Sequence, residues 1–207
     1  MSENTSIQPP QPIPYPKSHF IKTLYRIPIQ LYRLGLGPLI GKYILILSTT
    51  GRKTGKIHRT PVEFFRYNDC IYVMSGFGTT PDWYRNLLED PHASLELGRE
   101  TLHVIAKRPD SQSEWAGVIA FLKSSPVTRI IEPDLVNQLD TPQMQDTIKT
   151  WPILTFVHTN ETCPASLERD LLWTWPLILM GTAFLLLRSW LCTRKRESII
   201  RHQRFKT

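Results

Sequence analysis

Five short runs, residues 43–50, 60–67, 70–75, 93–97 and 101–107, are rich in β-branched and aromatic residues and are separated by Gly, Asn-Asp or Pro. That punctuation predicts an antiparallel sheet and sets the fold class. A sixth apolar run, 153–158, follows Pro152 and completes it. One helix interrupts the strands at 81–89, with Thr80 as N-cap, Pro81 at the first helical position and Pro91 beyond the end; 113–123 and 141–149 also read as helical. Five or six strands with few helices predict an α+β protein, mainly a small antiparallel β-barrel with flanking helices.

The ends of the chain differ from this middle. Residues 1–17 are proline-rich, without an apolar pattern or a signal-peptide layout, and read as a disordered arm. From Ser18, the residues Phe20, Leu24, Ile27, Leu31 and Leu34 lay an apolar stripe along a helix, which Pro28 should kink and Gly35, Gly37 and Pro38 should end. The barrel domain is thus expected over 18–160 and a linker over 161–170. Residues 171–187 carry no charge, and Arg188 can snorkel so that the apolar run reaches Cys192; 171–192 is therefore a transmembrane or interfacial helix candidate, with Trp173, Trp175 and Trp190 near its ends. This predicts a membrane-associated protein with lipid as a partner and the catalytic domain on the cytoplasmic face. The basic tail 193–207 conflicts with that orientation for a single span.

The formal charge of +7 is unevenly spread. No acid stands between Glu3 and Glu63, where nine basic residues fall, whereas 63–187 hold 9 basic and 16 acidic residues. A front third that is wholly basic suits an anionic ligand or surface. Nucleic acid is not expected, because no nucleic-acid motif is present and the rest of the domain is acidic. The three cysteines, Cys70, Cys163 and Cys192, are odd in number and form no C-x-x-C, which speaks against a disulfide scaffold or zinc module; the six histidines show no metal-ligand spacing. No Ser-His-Asp order and no H-E-x-x-H motif is present.

Two stretches are candidates for holding an anionic ligand. In Ser48-Thr49-Thr50-Gly51-Arg52-Lys53-Thr54-Gly55-Lys56-Ile57-His58-Arg59-Thr60-Pro61, two strands meet at a glycine-flanked turn. Its amides could face an anion while Arg52, Lys53, Lys56 and Arg59 supply charge; it is not a Walker A loop, and as composition alone such a hairpin is more often a solvated turn. In Ser75-Gly76-Phe77-Gly78-Thr79-Thr80-Pro81-Asp82-Trp83-Tyr84-Arg85-Asn86-Leu87, a strand end and glycine loop lead into a helix N-terminus that can receive an anion. Trp83 and Tyr84 read there as core anchors.

Together these stretches resemble the deazaflavin-dependent nitroreductase and quinone reductase family, over roughly residues 30–158. The resemblance implies a split β-barrel related to FMN-binding proteins, with coenzyme F420 as cofactor and hydride transfer to an electron-poor acceptor such as a quinone or nitro compound. It implies that Arg52, Lys53 and Thr54 grip the phosphate and acidic tail, helped by His58 and Arg59. Ser75 and Gly76 would lie under the ring, and Asp82, Trp83, Tyr84, Arg85 and Asn86 would shape its pocket, with Tyr84 as a candidate proton donor. The short Gly78-Thr79-Thr80 loop departs from members with a longer Ser-Lys loop, as does the C-terminal apolar segment. Two other readings stand beside it: an FMN or haem split-barrel protein, and a non-enzymatic membrane-tethered anion-binding module.

Overall fold

The protein is described by a computed structural model that covers residues 18, 23–124, 133–177, 179–186 and 188. The arm 1–17, the start of the first predicted helix and the basic tail 193–207 lie outside the described residues. The elements in chain order are α1 (Ile27–Arg33), α2 (Gly37–Ile40), β1 (Ile44–Thr50), β2 (Ile57–Glu63), β3 (Phe65–Tyr67), β4 (Cys70–Met74), α3 (Asp82–Glu89), β5 (His92–Leu97), β6 (Glu100–Lys107), α4 (Gln112–Ser124), α5 (Pro133–Gln138), α6 (Pro142–Ile148) and β7 (Ile153–His158).

All seven strands form one antiparallel sheet in the order β2-β1-β5-β6-β7-β4-β3. The two edge strands, β2 and β3, are separated in sequence by Phe64 alone. A sheet whose opposite edges are joined by one residue must curl back on itself, although its hydrogen-bond ladder is not closed. Pro61 is tolerated in β2 because that strand is an edge, where the missing N–H costs no ladder bond. Asn68 and Asp69, both at positive φ, make the two-residue turn between β3 and β4.

Strand alternation divides the buried residues into two cores. Leu45, Leu47, Ala93, Leu95, Val104, Phe156, Ile71 and Val73 point into the curl, where Trp83, Tyr84 and Leu87 of α3 close it. On the other face of β3, β4 and β7, Phe65, Tyr72 and Ile153 pack against Val118 and Leu122 of α4 and against Met144 and Ile148 of α6. Phe65 lies between Tyr72 and Phe121, with ring centroids 4.9 and 3.8 Å away. Glu114 caps α4, accepting from the N–H groups of Asp110 (2.9 Å) and Ser111 (3.3 Å), and Lys107 lies 3.2 Å from it. Burial alone would raise its carboxyl, but these donors outweigh that and hold it down at about 2.

Several expectations are corrected. Run 60–67 is two strands broken at Phe64, and β2 begins earlier, at Ile57. Pro28 does not kink a helix: it sits in the first turn of α1, where a missing N–H is harmless. Pro81, rather than Thr80, is the N-cap of α3. Residues 161–170 are a docked strap rather than a free linker. Ser94 Oγ donates to the Pro164 carbonyl, Glu96 accepts from the Leu167 N–H (2.9 Å), and Asp170 pairs with Arg33 through two bonds of 2.8 and 2.6 Å.

The transmembrane reading does not stand. Among the described residues no helix is long and apolar enough to cross a membrane, which goes against the expected membrane localisation with its cytoplasmic-face placement and leaves the lipid partner without support. The apolar run opens with a 3-10 turn, Leu172–Thr174, and its start is held to the domain: the Leu171 N–H donates to the Arg33 carbonyl (3.2 Å) and the Trp175 indole N–H to that of Leu34 (2.8 Å). Residues 178, 187 and 189–192 of the predicted span lie outside the described residues.

Candidate functional site

The glycine-bounded turn between β1 and β2 is closed from within. The Gly51 N–H donates to the Lys56 carbonyl (2.8 Å), the N–H groups of Thr54 and Gly55 to the Gly51 carbonyl (3.1 and 2.8 Å), and the Lys56 N–H to Thr54 Oγ1 (3.3 Å). Gly55 takes φ +67°, which an L side chain would strain. At Gly51 a Cβ would stand 2.6 Å from the His58 ring. These bonds use the amides of Gly51, Thr54, Gly55 and Lys56. The turn is therefore no backbone cradle for an anion; what it offers is the exposed side chains of Lys53, Thr54 and Lys56.

Arg52 has a different job. Its own N–H donates to Asn86 Oδ1 (3.3 Å), and its Nη1 donates to Asn86 Oδ1 (3.0 Å) and Asp82 Oδ1 (2.9 Å). Asn86, 2% exposed, donates in turn from Nδ2 to Thr49 Oγ1 (3.2 Å). Thr49, Arg52, Asp82 and Asn86 thus join the two sequence stretches across 34 residues. Asp82 opens α3, where a carboxylate complements the positive helix end, and the same carboxylate pairs with Arg52. Sequence reading missed Thr49 in this role, because nothing local marks one strand threonine as the partner of a distant asparagine.

Strand alternation separates the remaining basic residues. His58 pairs in register with Thr49 on the face toward α3, whereas Arg59 pairs with Ser48 on the opposite face. There Arg59, Ser48, Ser94 and His103 form one row across four strands beneath the strap. Arg59 Nη2 donates to the carbonyls of Ser166 (3.0 Å) and Ala165 (3.4 Å), and Ser94 Oγ lies 3.1 Å from His103 Nδ1. Arg59 Nε and Ser48 Oγ are buried without a partner among the described residues.

The second stretch is split in the same way. Ser75, directly after β4, is buried, its N–H donating to the Pro152 carbonyl (3.0 Å) and its Oγ without a partner among the described residues, while the neighbouring Gly76 is exposed. Arg85 donates from Nε to the Thr79 carbonyl (3.1 Å) and fastens the loop to α3. Trp83 and Tyr84 meet edge to face at 5.7 Å within the core. Tyr84 is 2% exposed.

At the far end of α3, His92 stands between two carboxylates, with Nδ1 2.7 Å from Asp90 and Nε2 2.8 Å from Glu161. The hydrogen bond to Asp90, then that to Glu161, raises the imidazole above its ordinary value. Burial alone would raise Asp90, but bonds from the His92 ring and N–H turn the net shift downward. Among the described residues no group of three or more His, Cys, Asp or Glu could hold a metal ion.

Residues 25–120 match the family model for the F420H(2)-dependent quinone reductases. A quinone reductase of that description from Mycobacterium tuberculosis strain H37Rv is 32% identical over 66 residues, which are 30% of this chain and 44% of the relative. The chain thus spans less than half of that relative's length. Among solved structures, an F420-H2 dependent reductase is 19% identical, covers 56% of this chain and 95% of its own, and has a TM-score of 0.38. A heme binding protein from Mycobacterium smegmatis is 15% identical, covers 70% and 60%, and has a TM-score of 0.39. Likenesses that low carry no argument about a ligand. Residues 25–120, which contain both motifs, are thus similar to the F420H(2)-dependent quinone reductases.

Proposed function

We propose that the chain is a deazaflavin-dependent oxidoreductase of split β-barrel type, transferring hydride from reduced coenzyme F420 to a quinone or another electron-poor acceptor. The observation that carries this reading is the union of its two motifs: Arg52 and Asn86 tie the basic turn to α3, and both lie inside the residues that the family model matches. The residues fit the coenzyme in part. An acidic, phosphate-bearing tail suits Lys53 and Lys56, which are exposed, with Thr54 between them. The unpartnered Ser75 hydroxyl beside exposed Gly76 suits a polar ring edge.

The coenzyme, when bound, supplies the hydride. The chain's own part is to bind and orient. Lys53 and Lys56 draw in the tail, Arg52 fixes their turn against α3 through Asp82 and Asn86, and Trp83 and Arg85 brace that helix and its entry loop. Reduction of a quinone to a hydroquinone takes a hydride and a proton. Because Tyr84 is enclosed in the core, solvent water is the assigned proton source. His58 and Arg59 face opposite ways. His58 belongs with the turn, and Arg59 would meet the coenzyme only where the strap leaves it.

Titrating the full chain with oxidised F420 and separately with FMN, followed by each cofactor's fluorescence, tests the reading. Saturable F420 binding without FMN binding is expected, with Tyr84→Phe changing F420H2-driven quinone reduction by less than about twofold, since no transition-state proton is lost. Tight FMN binding with none of F420 would replace this reading with the flavin one.

A further inference from the structure

The end of the sheet remote from the basic turn holds a cavity of about 420 Å³. Three segments meet there: the joint of α2 and β1 (Gly41, Lys42), the crossing from β2 to β3 (Phe64, Phe65, Arg66) and the turn between β5 and β6 (Leu97, Arg99, Glu100). Its frame is built tightly. The Tyr32 hydroxyl donates to the Ile44 carbonyl (2.9 Å) and accepts from the Gly98 N–H (3.0 Å). A Cβ on Gly41 would stand 2.5 Å from Gly98 N, so the glycine lets two backbones touch. Such a frame is preorganised, and its volume falls within the range of about 300–1,000 Å³ usual for small-molecule sites.

The lining has two characters. Leu97 belongs to the first core and Phe64 packs against it, which gives the cavity an apolar floor. Above it stand three cations and one acid. Arg66 and Glu100 approach only to 3.9 Å, both more than half exposed, while Lys42 and Arg99 have no ion-pair partner among the described residues. Lys42 and Arg99 both line the hollow and are exposed, so an anion entering it meets two cations whose charge no carboxylate among the described residues has taken up. A bare inorganic anion would leave the floor wet, and a neutral ring would strip water from the cations without compensation. None of the residues assigned to the coenzyme lines the cavity.

We propose that this cavity binds an aryl carboxylate, with the carboxylate between Lys42 and Arg99 and the ring over Phe64 and Leu97. Guanidinium and carboxylate match as planar partners, and the ammonium of Lys42 adds a point charge. The site is independent of the proposed oxidoreductase function and stands or falls separately.

The test is an amide-resolved NMR titration of the full chain with benzoate, and with acetate and benzyl alcohol as probes of charge alone and ring alone. Benzoate should give saturating shifts at the Gly41, Gly98 and Arg99 amides, while acetate and benzyl alcohol bind at least about tenfold more weakly, a difference of some 1.4 kcal/mol. Exchanging both cations, Lys42→Glu with Arg99→Glu, should weaken benzoate about tenfold or more; both residues are exposed, and the milder Lys42→Gln with Arg99→Gln repeats the measurement should the reversal disturb the fold. Non-saturating shifts, equal responses to acetate and benzoate, shifts centred on residues 51–56, or indifference to the substitutions would each overturn the proposal.

Discussion

The two ends of the sheet use positive charge in contrasting ways. At the turn, Arg52 is a strut: two side-chain partners and a third bond from its N–H bind it to α3, and its side chain is 20% exposed. At the opposite end, Lys42 and Arg99 strut nothing and stand around a hollow with an aromatic floor. Sequence density of charge is higher at the turn, yet the unspent charge there belongs to Lys53 and Lys56 rather than to Arg52. A basic residue is a ligand candidate only after the carboxylates and amides around it have taken their share.

The largest effect that would break this contrast lies at Asn86. Asn86→Leu strands the Thr49 hydroxyl and removes two of the three bonds to Arg52, so we expect unfolding free energy to fall by about 3 kcal/mol, read from urea midpoints. A loss below about 1 kcal/mol would show that the strut is ornamental. Gly41→Ala probes the other end: its Cβ would meet backbone at 2.5 to 2.8 Å, so the frame must shift, at a cost of about 2 kcal/mol and with loss of benzoate binding. Unchanged stability there would mean that the cavity wall is loose.

The smallest effect is electrostatic and sharpens the role of the strap. The folded state raises His92, so its contribution is complete below the unfolded imidazole value near pH 6.5 and is lost as pH rises through the raised folded value. Asp90 is lowered and contributes in the opposite sense, above the ordinary carboxylate range, with loss as pH falls through its folded value. The partners are largely exposed, so the His92 contribution should stay below about 1 kcal/mol. Glu161→Gln should flatten the pH dependence of stability between pH 6 and 8 (roughly the His range) without moving its acid limb. An unaltered slope would dissociate the strap from His92.

Strands and most helices were legible because each rests on local chemistry. The Asn68-Asp69 turn, the helix read over 141–149 and the run 153–158 all carry their signal within a few residues. The break at Phe64 was not legible, since 60–67 is uninterrupted in β-forming residues and only the arrival of β3 at the far edge of the sheet demands it. The strap was illegible for a similar reason: Pro164 and Leu167 are fixed by Ser94 and Glu96, some 70 residues away. Hydropathy suggested a membrane helix over 171–192 because it counts apolar residues and cannot see that Leu171 and Trp175 are tied to the carbonyls of Arg33 and Leu34. Within the candidate site, the linear motif held both basic neighbours, His58 and Arg59, but a strand sends them to opposite faces.

One pair of titrations tests the central claim most directly. F420 affinity is measured for the full chain carrying Lys53→Glu with Lys56→Glu, and for the chain carrying Lys42→Glu with Arg99→Glu. The account predicts that the first pair weakens F420 by about a hundredfold while the second changes it less than about threefold, because charge beyond a Debye length is screened. Equal losses from both, or a loss confined to the second pair, would contradict it.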